Sequence, residues 1–284
     1  MRGNRMSFAS LGEGSLDYAP CRYRGSRSLF RGPERKLDEP FGVVIGGSEA
    51  YGKFIANPFP SLIEAGLDMP VVNLGAVNAS VDLFLGDAVL IGLANDAAFT
   101  VVQITGAQNI SNRFYSVHPR RNDRFIRPTA LLQSIFPRLD FSEINFTRHL
   151  LRTIADQSPQ RFRIIVDDLR DVWVKRMNVL LDQIRTPVVL LWMAEAPPAD
   201  DDSLFSEFGE EPLFVTRKMI SALGVEMVRY AEIVAEPSGL VPGLSGLVCT
   251  DLEAASPQLV LPPVAHLRAA QALMPILMGI VGKD

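Results

Sequence analysis

Cysteine is nearly absent from this chain of 284 residues. Cys21 and Cys249 lie far apart and belong to no CxxC or metal-type spacing, which argues against a disulfide framework and a structural zinc site and for a reducing, cytoplasmic setting. Long hydrophobic runs are missing too. No stretch reaches the roughly 18 to 20 apolar residues of a membrane span; the most apolar one, Val260 to Val281, is interrupted by His266, Arg268, Gln271 and prolines. The first 40 residues lack the apolar core of a secretion signal. Positive charge is not in excess either: 28 Lys and Arg against 32 Asp and Glu leave −4, a balance unsuited to capturing nucleic acid over the whole surface. The expected partner is a small molecule, with neither membrane nor nucleic acid. At 48% hydrophobic and 21% charged residues, the chain has a globular composition and is long enough to bury a large core.

Residues 1–40 read as an arm rather than a domain, dominated by Gly, Ser and Arg with scattered anchors such as Tyr18, Tyr23 and Phe30. From Phe41 to the end, residues 41–284, strands and helices alternate. Phe41 to Phe54, FGVVIGGSEAYGKF, has the continuous apolar run of a buried parallel strand, closed by a glycine pair. Asn57-Pro58 signals a short helix that Gly66 closes. Val71 to Leu74 reads as a second strand, Val81 to Leu93 as a helix and Phe99 to Thr105 as a third strand. Between Ala107 and Arg185 no strand is evident; an arginine-rich loop from Arg113 to Arg127 leads into helical pattern, so 107–185 is expected as a loop and helical insertion. Within it, Ser158-Pro159 caps a long helix whose apolar residues, from Phe162 to Leu181, recur every three to four positions. Pro187 to Met193 returns to strand and residues 196–211 form an acidic loop. Pro212 to Leu223 reads as a helix capped by Gly224, Val225 to Tyr230 as a fifth strand, and Val264 to Val281 as a final helix that Pro275 should kink. This order predicts a doubly wound parallel sheet.

Ligands in such sheets sit where the strands end. Gly46-Gly47-Ser48, Gly75 to Asn78 and Gly106 to Asn109 are therefore expected to share an edge, with His266 on the last helix as a fourth contributor. A serine needs a base to become a nucleophile, and an acyl-transfer intermediate needs donors for its oxyanion. Ser48, His266, a backbone N–H near Asn78 and the amide of Gln108 or Asn109 are residue types that supply those parts.

GGSEAYG resembles the GDS-x-x-x-G block of the SGNH, or GDSL-type, hydrolases. VVNLGAVNAS resembles their second block, ITGAQN their G-x-N-D block, and the helix-opening His266 the histidine of their last block. The resemblance implies a flavodoxin-like three-layer α/β/α sandwich with a parallel sheet and a serine site that cleaves or transfers an ester or acetyl group on a small or carbohydrate substrate. It implies Ser48 as nucleophile and His266 as general base. The oxyanion donors would come from Ser48, Asn78, Gly75 and the amides of Gln108 and Asn109, and Gly47 would be part of the substrate-binding turn. The first block, with the arginine-rich arm, also resembles an uncharacterised bacterial subgroup with a GGSE-type start. Several positions differ: Gly47 stands for the block-one aspartate, Asn78 for the second-block glycine, and Pro263 for the acid three residues before the histidine, a place Asp251 is a candidate to fill. No cofactor and no metal are expected. The alternative is a protein of this fold that binds or assembles without turnover.

Two further features have rival readings. Gly47 to Lys53 satisfies GxxxxGK, the phosphate-cradling loop, but Phe54 stands where a magnesium-binding hydroxyl belongs and Asn57-Pro58-Phe59-Pro60 would break the required helix; Lys53 then reads as a charge on the pocket rim. The arginine-rich loop, with Arg113, Arg120 and Arg121 among its members, reads as a clamp for an anionic substrate group or as a partner for the acidic loop or a second copy of the chain. The N-terminal arm is the other surface suited to a homo-oligomer contact.

Overall fold

The protein is described by a computed structural model over residues 16–23, 25–200, 211–224, 229–235, 247–248 and 260–282. In chain order its elements are β1 (Gly42–Gly46), α1 (Ser48–Tyr51), α2 (Phe59–Leu67), β2 (Val71–Gly75), α3 (Val81–Leu85), α4 (Ala88–Asp96), β3 (Phe99–Gln103), β4 (Tyr115–His118), β5 (Arg121–Pro128), α5 (Ala130–Ile135), α6 (Thr147–Gln157), α7 (Pro159–Gln183), β6 (Val188–Ala194), α8 (Arg217–Ser221), β7 (Arg229–Val234) and α9 (Pro263–Val281). Five strands form one parallel sheet in the order β2-β1-β3-β6-β7. This is the flavodoxin-like order, with its switch point between β1 and β3.

Every residue of β1, β2, β3 and β6 is buried, because helices cover both faces. Val43, Ile45, Leu74, Val102 and Trp192 look into a core shared with α3, α4 and α7. Val44, Val71, Val101, Leu191 and Met193 face the opposite way, against Phe59 and Ile63 of α2 and Ala265, Ala269, Leu273 and Leu277 of α9. By length and composition α9 is also apolar enough to cross a membrane; here those residues cover the sheet. The helix continues through Pro275 to Val281.

The arm packs into the first core. Tyr23 and Phe30 are buried there, each worth roughly 2 kcal/mol of hydrophobic stabilisation. Next to them Arg31 donates to the carbonyls of Tyr51, Gly52 and Ala56 at 3.2, 2.6 and 2.9 Å. It thereby staples the arm over the segment that joins α1 to α2.

The expected elements differ from those found at several places. Val81 to Leu93 is two helices, α3 and α4, because Asp87 starts afresh by accepting from Val89 N–H. Gly66 lies inside α2, which ends at Asp68 in the left-handed region. Only Arg217–Ser221 of the expected helix before Gly224 is helical, capped by Thr216. The last strand among the described residues is Arg229–Val234, and residues 225–228 of the expected one lie outside the described residues. The arginine-rich segment contains an antiparallel hairpin, β4 and β5, with an irregular register. Tyr115, Val117 and Phe125 point inward while arginines occupy the outward positions, so the strand alternation was hidden by charge.

Candidate functional site

The strand ends do converge. Gly47, Ser48 and Glu49 after β1, Asn78 after β2, Thr105, Gly106, Gln108 and Asn109 after β3 and Ala194-Glu195 at β6 line one cavity of about 510 Å3, completed by Arg148, Glu211, Pro212, Val260 and Leu261. Its floor is built by close packing. A Cβ on Gly75 would stand 2.3 Å from Tyr51 N, and one on Gly46 would stand 2.7 Å from Ala50 Cβ, so glycine at both positions lets α1 sit directly on the strand ends. Gln103 then fixes the turn: its Oε1 accepts from Gly47 N–H at 2.7 Å.

Ser48 opens α1 at the cavity. Its Oγ accepts from Asn78 N–H at 3.1 Å and donates to Asn78 Oδ1 at 3.4 Å. Asn78 is in the left-handed region, with φ of 55°, a conformation Asn tolerates better than most residues. The carbonyl of Asn78 accepts from Asn109 Nδ2 at 3.1 Å, and Asn109 Oδ1 accepts from the Thr147 hydroxyl at 2.5 Å. Asn109 is thus a tie between the second and third strand ends and α6. Gln108 turns to Glu211, donating to both carboxylate oxygens at 2.8 and 2.9 Å. The turn itself is anchored by Tyr115, whose hydroxyl donates to Gln108 O at 2.6 Å, and by Trp173 Nε1, which donates to Thr105 O at 2.8 Å.

Among the described residues, three carboxyl groups share the cavity. Glu211 is held by Gln108, by Leu213 N–H at 3.1 Å and by Arg148 at 3.5 Å. Glu195 stands at the end of β6. The Glu49 carboxyl accepts a long bond from Gln103 Nε2, at 3.4 Å, and a backbone hydrogen bond from its own residue. Burial, with the negative charge of Glu211 adding to it, pushes the Glu49 carboxyl up to about 7, so it exchanges its proton near neutrality.

His266 is not brought to this cavity. It is 1% exposed on the first turn of α9, its ring stacked on Phe59 and its Nδ1 accepting from Phe59 N–H at 3.2 Å. Burial, with the positive charge of Arg31 adding to it, lowers its basicity to about 3. It is a neutral joint between α2 and α9, and the α9 side of the cavity is lined by Val260 and Leu261 instead. Gly75 is not a donor to the cavity, since its N–H goes to Asn73 Oδ1 at 2.8 Å. Lys53 lies outside, its Nζ 4.6 Å from the Phe54 ring centre. Arg113 pairs with Asp168 on α7 at 2.8 Å. Arg120 and Arg121 form the exposed tip of the hairpin, where their N–H groups donate to His118 Nδ1. None of these four lines the cavity; its guanidinium is that of Arg148. The phosphate-loop reading also fails, because α1 ends at Gly52 in the left-handed region and no helix begins at Lys53. Asp251 lies outside the described residues.

Of the expected residues the cavity therefore unites Gly47, Ser48, Asn78, Gln108 and Asn109. Sequence reasoning missed Glu49, Gln103, Arg148, Glu195 and Glu211. The signal for Glu49 was present, a carboxyl beside the serine at a strand end. Gln103 was legible as a polar residue closing an apolar strand, whereas Arg148 and Glu211 arrive from distant segments with no motif to mark them.

A family model described as a domain of unknown function, DUF6473, matches residues 6–281. A search of the curated proteins finds no match. Among solved structures, the chain is similar to a family two carbohydrate esterase from Clostridium thermocellum in complex with cellohexaose, at 10% identity over 90% of this chain and 68% of that one, with a TM-score of 0.45. It is similar to an acetyl xylan esterase from Butyrivibrio proteoclasticus at 8% identity, covering 90% and 67%, with a TM-score of 0.43. A lipase/acylhydrolase from Enterococcus faecalis matches at 11% identity over 85% and 96%, with a TM-score of 0.40. At such identities no residue role transfers.

Proposed function

The chain belongs to the DUF6473 family, and we propose that its sheet-edge cleft handles an ester or acetyl group of a small, hydroxyl-bearing molecule, by hydrolysis or by transfer to an acceptor. The observation that carries this reading is Ser48, which opens α1 at the end of β1 inside the cavity with its hydroxyl set by Asn78. Carboxamides and carboxyls on the walls suit the hydroxyls of a carbohydrate-like substrate. Three carboxyls against Arg148 disfavour an anionic one.

Short-chain aryl esters and acetylated sugars test the reading. Wild-type protein is expected to turn over at least one of them slowly, and Ser48→Ala to abolish that turnover. A specific observation supports a second reading, in which the cleft binds without turnover: none of the three histidines in the sequence lines the cavity. Saturable binding of an acetylated sugar with no release of acetate would favour it.

A further inference from the structure

We propose that Glu49 is the proton acceptor of this cleft, taking the Ser48 hydroxyl proton through one bridging water in place of a histidine. The inference rests on the acyl-handling reading of the same cavity. The chain has three histidines. His118 is committed to the hairpin tip through its Nδ1, His149 lies on α6 away from the cavity lining, and His266 is sealed between α2 and α9. No segment outside the described residues contains another histidine, so a base supplied by this chain is of another kind.

Among the described residues, the proton acceptors on the cavity wall are Glu49, Glu195 and Glu211. Glu211 has both oxygens engaged by Gln108 and Leu213 and faces Arg148. Glu195 follows β6, which lies two places from β1 in the sheet, about 10 Å away at the usual strand spacing. Glu49 is the residue next to Ser48. It shares Gln103 with the serine turn, since one end of that amide meets Glu49 at 3.4 Å and the other holds Gly47 N–H. The charged groups around it are Glu211, Glu195 and Arg148, with Asp123 of β5 reaching the serine through Asn78 Nδ2 at 3.3 Å. Its carboxyl, pushed up to about 7, matches a base working near neutral pH.

The step balances. As the Ser48 Oγ to acyl-carbon bond forms, the hydroxyl proton passes through the water to the Glu49 carboxylate. The bond from the acyl carbon to the leaving oxygen breaks, and Glu49 returns the proton to that alkoxide. In the second half the oxygen of a water or acceptor hydroxyl bonds to the acyl carbon as its proton passes to Glu49; the bond from the acyl carbon to Ser48 Oγ breaks, and Oγ takes the proton back from Glu49.

The test is the rate of inactivation by a fluorophosphonate between pH 5 and 9, followed by intact mass, for wild type, Ser48→Ala, Glu49→Gln and Glu49→Asp. We expect one adduct on wild type and none on Ser48→Ala, with a rate that rises through about pH 7. Glu49→Gln should lose about 100-fold or more and its pH dependence should flatten. Glu49→Asp, which keeps a carboxyl, should retain a pH-dependent rate even if Glu49→Gln does not fold. A folded Glu49→Gln protein that reproduces the wild-type rate and profile at every pH, or a Glu49→Asp protein whose rate of adduct formation no longer depends on pH, overturns the assignment while leaving the acyl-handling reading intact. Absence of any wild-type adduct across the range overturns that reading, and the base role with it.

Discussion

His266 shows what one buried ring does for this protein. Its Nδ1 satisfies the backbone N–H that opens α2, in a joint closed to water. Replacing it by Phe keeps the ring packing but strands that N–H, at a cost of about 1–3 kcal/mol. His266→Gln offers a carbonyl oxygen instead and should recover part of the loss. Urea midpoints of the two variants check this, and a His266→Phe protein as stable as wild type would contradict it. Because the ring lies outside the cavity, cleft binding of an acetylated sugar should survive both changes. The sequence pattern placed this histidine on the last helix correctly but not the face it presents, since a position in the first helical turn does not say which way the side chain points.

At the scale of elements, α1 is positioned by what packs beneath and behind it. Below lies Gly75, and Gly75→Ala would force a Cβ to within 2.3 Å of Tyr51 N. Overpacking of that kind costs about 1–3 kcal/mol, and it should push Ser48 away from Asn78. The expected result is a lower melting temperature together with loss of turnover or binding; unchanged affinity would show that α1 can slide without consequence. Behind α1, Arg31 ties the arm to three carbonyls, so Arg31→Ala should release the arm to limited proteolysis near Arg27 and destabilise the fold by about 2–4 kcal/mol. The strands that hold the site were legible because burial on both faces leaves continuous apolar runs, as in β1, β3 and β6. The hairpin was not, because β4 and β5 expose arginines on one side and their pairing slips out of register. Nor do Arg113, Arg120 and Arg121, expected as a clamp, line the cavity. Tyr115 holds the Gln108 turn, Asn122 Oδ1 accepts from Ser80 N–H at 2.8 Å, and Thr147 just beyond it holds Asn109, so the insertion braces the site through buried polar residues.

For the whole molecule, two groups with shifted titrations set opposite limits on stability against pH. His266 titrates near 3 when folded against 6.5 as a free side chain. Between those values the unfolded chain binds the extra proton, so stability falls as pH drops from 6.5 towards 3. Glu49 titrates near 7 when folded against 4.5. There the folded chain holds the extra proton, and stability falls as pH rises from 4.5 through 7. Each limb has a slope of about 1.4 kcal/mol per pH unit for one proton, and where they overlap, between 4.5 and 6.5, they cancel. These two groups alone therefore contribute a plateau, with losses below and above it. Urea unfolding of wild type, Glu49→Gln and His266→Phe across pH 3 to 8 separates them, because other titrating groups are common to all three proteins and drop out of the differences. Relative to wild type, Glu49→Gln should gain stability steadily as pH rises from 4.5 to 7, and His266→Phe should gain as pH falls from 6.5. Parallel curves for wild type and Glu49→Gln would mean that the Glu49 carboxyl is already ionised in the folded protein at acidic pH, and that the cavity is wetter than its walls imply.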